Sequence, residues 1–319
     1  MRAYQTLSFD TPPQLVDVPL TIPVKGEVLV NVEACGLNFA DLLMTRGQYQ
    51  DTPEPPFTLG LEICGTVAQL GPDTKGPAIG TRVAIFGGQG GLAEQGCFDV
   101  SRCVPVPDSM SSTVAAGFMV AYGTSHLALS RRARLQPGET LLVTGAAGGV
   151  GLTAVEIGKR MGARVIGLAR GAEKCAIAQQ AGADHVFDSG DPDLLQKLKD
   201  LGGVDVVYEA IGGDLFKTAL RACNREARIL AIGFAGGDVP QVPANHLLVK
   251  NVDVIGFYWG GYLKFAPQAL TDSLATLMQW HAQGKLSPHI SHVLPLDRAD
   301  DALALLRDRK STGKVVVTP

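Results

Sequence analysis

Two textures of apolar and polar positions divide the chain. Over the first 115 residues, short apolar stretches alternate with polar positions and are punctuated by proline and glycine. Glu27–Glu33 (EVLVNVE) alternates, and Ile63–Leu70 and Arg82–Phe86 are further strand candidates. One helix is predicted among them, at Ala40–Thr45. From Ser111 helical and strand patterns take turns. Ser112–Leu129 reads as helix in two pieces, followed by an apolar strand that runs into a glycine turn at Leu141–Gly151 (LLVTGAAGGVG). Strands at Arg164–Leu168, His185–Asp188, Val204–Glu209, Arg228–Gly233 and Val252–Tyr258 follow. Helices are predicted between them at Glu173–Ala181, Pro192–Leu201 and Phe216–Cys223. Six strands spaced by helices predict a doubly wound parallel sheet. The tail carries an amphipathic helix, Ala269–Gln283, a strand at Val293–Pro295, a helix at Ala299–Asp308 and a closing strand, Lys314–Thr318.

The glycine turn changes the picture from fold class to chemistry. Gly145, Gly148 and Gly151 stand at G-x-x-G-x-x-G spacing between a strand and a helix that starts near Gly149. Such a turn needs glycine for the bend, for close approach of a pyrophosphate, and for helix–strand packing. The helix start offers backbone N–H groups and the positive end of its dipole to phosphate. Arg164–Leu168 follows at the spacing of a right-handed crossover.

Composition narrows the partners. The chain has 319 residues, 46% hydrophobic and 18% charged, with a net charge of −3. This describes a globular protein long enough for two domains, with no electrostatic case for nucleic acid or anionic membranes. No apolar run reaches the roughly 18–20 residues of a membrane span. The N-terminal residues lack a signal-peptide layout. Six cysteines without paired spacing predict a reducing, cytoplasmic setting.

Several ordered motifs together resemble the zinc-free quinone oxidoreductase branch of the medium-chain dehydrogenase/reductase superfamily. They are Gly36–Tyr49 (GLNFADLLMTRGQY), Leu59–Val67 (LGLEICGTV), Ala146–Gly151 (AAGGVG), Asp205–Gly213 (DVVYEAIGG), Arg228–Phe234 (RILAIGF) and Gly313–Val317 (GKVVV). The resemblance spans nearly the whole chain. It implies an α/β protein with a groES-like β-rich catalytic domain over 1–118 and 264–319, around a Rossmann domain over 119–263. Zinc-dependent relatives place a cysteine where this chain has Asn38, and a histidine where it has Leu61. Zinc needs S, N or O ligands converging on one point, so the expectation is a metal-free site.

Without metal, a substrate oxyanion must be met by hydrogen-bond donors while a nicotinamide supplies hydride. The resemblance puts Asn38, Asp41 and Tyr49 on the substrate side, Asn38 and Tyr49 as donors and Asp41 as an orienting group. Two plainer roles stand beside these: Asn38 as a helix cap and Tyr49 as packing. The resemblance sets Thr124 near the nicotinamide amide; a hydroxyl at a helix N-terminus is the other reading.

The cofactor side comprises the turn itself (Gly145, Ala147, Gly148, Gly149, Val150, Gly151) and the strand ends beyond it. Gly212, Phe234, Phe257 and Trp259 end the fourth to sixth strands; the resemblance puts the aromatics along the nicotinamide half, and core packing is the other reading. The second strand ends in Arg170 with no carboxylate before Glu173, so Arg170 and Lys174 offer positive charge to a 2′-phosphate. Asp188, at the third strand end, either opposes that phosphate or faces solvent. NADPH is the expected cofactor, and a quinone or α,β-unsaturated carbonyl the expected substrate. An enoyl-thioester reductase is the alternative enzyme. A non-catalytic NADPH-binding protein, acting as sensor, structural or RNA-binding element, is the alternative class. A homodimer is expected through the apolar edge around Val252–Trp259.

Overall fold

A computed structural model describes residues Met1–Pro319. The chain forms two compact units, Met1–Val120 with Pro288–Pro319, and Ala121–Ser287.

The first unit is built on Glu27–Gly36, whose apolar positions Val28, Val30, Val32 and Ala34 alternate into the core. Seven strands share its sheet. Six run in the order Ile290–Pro295, Lys314–Thr318, Glu27–Gly36, Glu62–Leu70, Arg82–Phe86 and Cys103–Pro105, and Gln95–Asp99 also pairs with Glu27–Gly36. A smaller sheet joins Gln14–Asp17, Arg2–Thr6 and Phe57–Thr58. The register brings three remote segments to one corner. Gly36 pairs with Glu62 on one side and with Val316 on the other. Gly36 is needed there, because an added Cβ would overlap the Ala116 carbonyl oxygen. The expected early helix is present at Phe39–Met44.

The second unit carries the parallel sheet in the order His185–Asp188, Arg164–Ala169, Thr140–Thr144, Val204–Glu209, Cys223–Ala231 and Asp253–Gly256. All five neighbouring pairs are parallel. Strand Thr140–Thr144 is buried at every position, as a strand covered on both faces must be. Leu142, Ile166, Val207 and Ile229 from four strands pack with Leu198, Phe216 and Leu220 from the helices. The order reverses beside Thr140–Thr144, which opens a crevice outside the strand ends at that point.

The expected helix Ser112–Leu129 is indeed in two pieces, Ser112–Ala116 and Met119–Leu127, and the second runs on into a wide π turn at Ala128–Arg132. The long tail helix, Pro267–Ala282, belongs to the second unit, and the chain leaves that unit only after Ser287. The sequence set this boundary at 263/264. The stripe Leu270, Ser273, Leu274 and Leu277 is buried there. Ser273 Oγ lies 2.8 Å from His126 Nδ1, and Trp280 stands edge-on to the His126 ring. The helix Ala244–Lys250 has no counterpart among the expected elements. Its apolar Leu248 and Val249 are exposed, so no buried helical face marks it. No helix is long and apolar enough to cross a membrane.

Candidate active site

The glycine turn divides its three glycines among three physical tasks. Gly145 sits at φ +64°, in the left-handed region that suits glycine. Gly151 lies against Gly145 so closely that a Cβ would overlap the Gly145 carbonyl oxygen. Gly148 differs from both. A Cβ there would meet only that carbonyl oxygen, at 3.3 Å, so the protein's own atoms leave its outer side open. The helix Gly149–Arg160 begins at Gly148 with no side chain capping it. Ala146 and Ala147 are buried, while Gly149 and Val150 reach the surface at the first turn. Behind the turn, Ser125 Oγ is bonded to the Val150 carbonyl at 3.0 Å, to Thr153 Oγ1 at 2.8 Å and to Tyr208 OH at 3.0 Å. This buried network anchors the helix start on its inner side.

At the neighbouring strand end Arg170 is exposed, and Lys174 lies in the first turn of helix Ala172–Gln180. Asp188 neither sits idle in solvent nor points away. Its Oδ2 accepts from Gly171 N–H and its Oδ1 from Gly190 N–H, each at 2.7 Å. Those two bonds hold the carboxyl below its ordinary range, with Arg170 adding to the effect. The carboxylate thus joins two loops.

At the switch point Glu209 is 1% exposed, and its Oε1 accepts from Ile211 N–H, Gly212 N–H and Thr144 Oγ1 at 2.7–2.9 Å. Burial pushes this carboxyl above its ordinary range, against the pull of those bonds. This carboxylate, absent from the expected site, shapes the loop that carries Gly212 at φ +83°. Phe234 is half-buried, whereas Phe257 and Trp259 are buried. The Trp259 indole rests on Gly123, where a Cβ would stand 2.6 Å from Nε1. Thr124, beside Gly123, is buried well inside Met119–Leu127, so the reading as a helix N-terminal hydroxyl does not hold.

In the first unit Asn38 precedes helix Phe39–Met44 as its N-cap residue, and Asp41 is fully buried at the third helical position. Asp41 Oδ2 accepts from Asn38 N–H at 2.8 Å and Oδ1 from Gly60 N–H at 3.1 Å. Burial pushes this carboxyl up to about 7, opposed by those N–H groups and by Lys314. The Asn38 amide is committed to the protein. Its Nδ2 donates to Gly36 O at 3.2 Å and to Glu62 Oε1 at 3.0 Å, and its Oδ1 accepts from Lys314 Nζ at 2.8 Å. The donor that the sequence offered to substrate is therefore spent at home. Tyr49 is half-buried in the loop beyond the helix, its backbone bracketed by Thr52 Oγ1. Glu62 and Lys314 were not anticipated as site residues, although both lie in motifs that stood out, LGLEICGTV and GKVVV.

The same corner does not fit zinc. Leu61 is 1% exposed and apolar, Asn38 offers an amide, and the charge beside them is an ammonium. No group of three or more His, Cys, Asp or Glu side chains converges on a metal position.

Comparison with known proteins agrees with this plan. A family model for an alcohol dehydrogenase GroES-like domain matches residues 24–108, and one for a zinc-binding dehydrogenase matches 149–279. The bovine quinone oxidoreductase-like protein 2 is 42% identical over 296 residues, covering 92% of this chain and 85% of that protein. The quinone oxidoreductase of Thermus thermophilus, solved alone and with NADPH, is 33% identical with a TM-score of 0.88 over all of both chains. The Escherichia coli quinone oxidoreductase, solved with NADPH, is 27% identical with a TM-score of 0.93, again over the full length of both. With the GroES-like and Rossmann parts both matched, and zinc-ligand positions filled by Asn38 and Leu61, the chain belongs to the zinc-free quinone oxidoreductase branch of the medium-chain dehydrogenase/reductase superfamily.

Proposed function

We propose that this protein is an NADPH-dependent, metal-independent oxidoreductase that passes hydride to quinones or α,β-unsaturated carbonyls. The observation that carries the reading is the uncapped helix start at Gly148, open on the side where a pyrophosphate would approach. Gly145, Gly148 and Gly151 receive the dinucleotide there, Gly212 and Phe234 border it at the switch point, and Thr124 serves the nicotinamide end. Arg170 and Lys174 receive the 2′-phosphate. Asp188 stays ionised, held by the Gly190 and Gly171 N–H groups, and the two cations Arg170 and Lys174 outweigh its single charge. That the Thermus and Escherichia coli relatives were solved with NADPH supports the choice.

Bound NADPH supplies the hydride, and the chain's own residues supply position and charge. Tyr49 donates its hydroxyl to the oxygen that becomes negative. Asp41, tied to the backbone of Asn38 and Gly60, holds the substrate-side loop. The protein works as a homodimer through the sheet edge at Asp253–Gly256 and in the cytoplasm, in keeping with six cysteines that form no disulfide.

The test is steady-state NADPH oxidation against 1,4-quinones, 2-alkenals and enoyl thioesters, with and without a chelator. Turnover of quinones or alkenals, indifferent to the chelator, is the expected result. NADPH binding without turnover of any of them would return the protein to the non-catalytic class. One equivalent of zinc whose removal abolishes activity would overturn the metal-free reading.

A further inference from the structure

Lys314 begins the closing strand Lys314–Thr318, and no step of the proposed reaction uses it. Antiparallel pairing of Val316 with Gly36, extended two residues, sets Lys314 across from Asn38. Its stem lies along Gly117, where a Cβ would press on three of its carbons at 3.3 Å, so glycine gives the lysine room along its length. The residue is 6% exposed, although a charge taken out of water is costly unless it is paired. The pairing is complete on one side. Nζ donates to Glu62 Oε1 at 2.6 Å and to Asn38 Oδ1 at 2.8 Å, and the third N–H is spent on neither. Glu62, 1% exposed, accepts in addition from Val120 N–H at 3.0 Å and from Asn38 Nδ2.

These bonds fix the Asn38 amide in one orientation. A flipped amide would turn its NH₂ to the ammonium and its oxygen to the carboxylate, losing both bonds. Stability alone does not explain the arrangement, because apolar residues of similar volume commonly serve a core as well as a buried ion pair does. A buried cation beside the residue at the substrate side has a chemical use.

We propose that Lys314 is a positioning residue for hydride transfer. Held by Glu62, it locks Asn38 and places a positive charge beside the substrate oxygen as that oxygen becomes an anion. The inference rests on the proposed function, in which the segment carrying Asp41 and Tyr49, entered through Asn38, lies on the substrate side. In the step, hydride brings its electron pair to form a new C–H bond, and a π pair of the substrate moves onto oxygen. The nicotinamide is oxidised and the substrate reduced, and the resulting enolate or hydroquinone monoanion takes its proton from water. Lys314 keeps its protons throughout and acts through charge.

The experiment compares wild type, Lys314→Arg, Lys314→Met and the double variant Lys314→Met/Glu62→Gln. Each is measured for melting temperature, NADPH affinity by fluorescence, and kcat and KM with the best quinone. Lys314→Met alone strands a buried carboxylate and can fail to fold. The double variant removes both charges and keeps the question open to measurement. The expected result is a folded double variant with wild-type NADPH affinity and KM but a kcat lowered roughly 10²-fold, and partial recovery of kcat in Lys314→Arg. A folded double variant with wild-type kcat overturns the proposal. So does a loss of activity that follows the folded fraction alone, with Lys314→Arg no better than Lys314→Met. A wild-type protein that oxidises NADPH with no quinone or alkenal fails the proposed function itself, which is a separate outcome.

Discussion

The glycine turn of the second unit and the Lys314 corner of the first offer negative charge opposite materials. The turn presents backbone N–H groups and a helix dipole, open because side chains are absent. Its parts lie within seven consecutive residues, Gly145–Gly151. The corner uses side chains, one cation, one carboxylate and one amide, drawn from positions up to 276 residues apart. An added atom threatens the first and a missing partner threatens the second. A cradle made of backbone depends on local geometry, whereas a buried ionic corner depends on the whole sheet keeping register.

The comparison breaks most visibly at Gly151. Gly151→Ala forces a Cβ onto the Gly145 carbonyl oxygen, and the expected cost is about 3 kcal/mol of stability together with loss of NADPH binding. Gly148→Ala, whose Cβ would meet a single backbone oxygen at 3.3 Å, should lower the apo melting temperature far less than Gly151→Ala while NADPH affinity falls roughly tenfold or more. Thermal melts and cofactor titration of the pair decide the matter. Equal melting losses in the two variants would mean that Gly148 serves packing and not ligand approach.

Tyr49→Phe sharpens the other half. Loss of its hydroxyl should lower kcat by about 10²-fold and leave NADPH affinity unchanged. Unaltered kinetics on the best quinone would assign Tyr49 to packing.

Lys174→Ala tests whether the cofactor side too relies on a side-chain charge. A charge-assisted contact to phosphate contributes about 1.5–3 kcal/mol, so NADPH should bind roughly tenfold more weakly or worse, with NADH nearly unaffected. Added salt should reduce the difference. Equal losses for both cofactors would show that Lys174 does not read the 2′-phosphate.

The smallest effect concerns pH. Asp41 stands near 7 in the folded protein, against 3.8 for the ordinary carboxyl, chiefly because it is buried. Between those values the folded state holds a proton that the unfolded state has released. Its contribution to stability is therefore full below about 4 and is lost as pH rises through about 7. Melting temperature should fall by a few degrees across that window in the wild type, and Asp41→Asn should flatten the decline. An identical slope in the variant would assign the dependence to other groups.

Legibility followed the same division. The alternation at Glu27–Glu33, the strand–turn–helix at Leu141–Gly151 and the strands between Arg164 and Tyr258 were readable because their periods are local. Asp188 shows the limit on the cofactor side. Its place at a strand end was plain from sequence, but its two backbone partners, Gly171 and Gly190, come from a neighbouring loop and from its own turn. Trp259 shows it again, since Gly123 makes room for the indole from another element. The amphipathic stripe of Pro267–Ala282 announced a helix without saying which core would take it.

The sequence by itself determined the parallel-sheet architecture, the backbone cradle and the loss of zinc ligands at Asn38 and Leu61. Each is a property of residue type or short-range spacing. Only the tertiary structure decided that Asn38 has no free amide hydrogen, that Glu209 holds the Gly212 loop, and that Lys314 stands against Glu62. Sheet register joins residues 24, 252 and 276 positions apart at that corner. No local period encodes which strand lies beside which, and a lysine near the end of a chain reads as solvated until the strand pairing buries it.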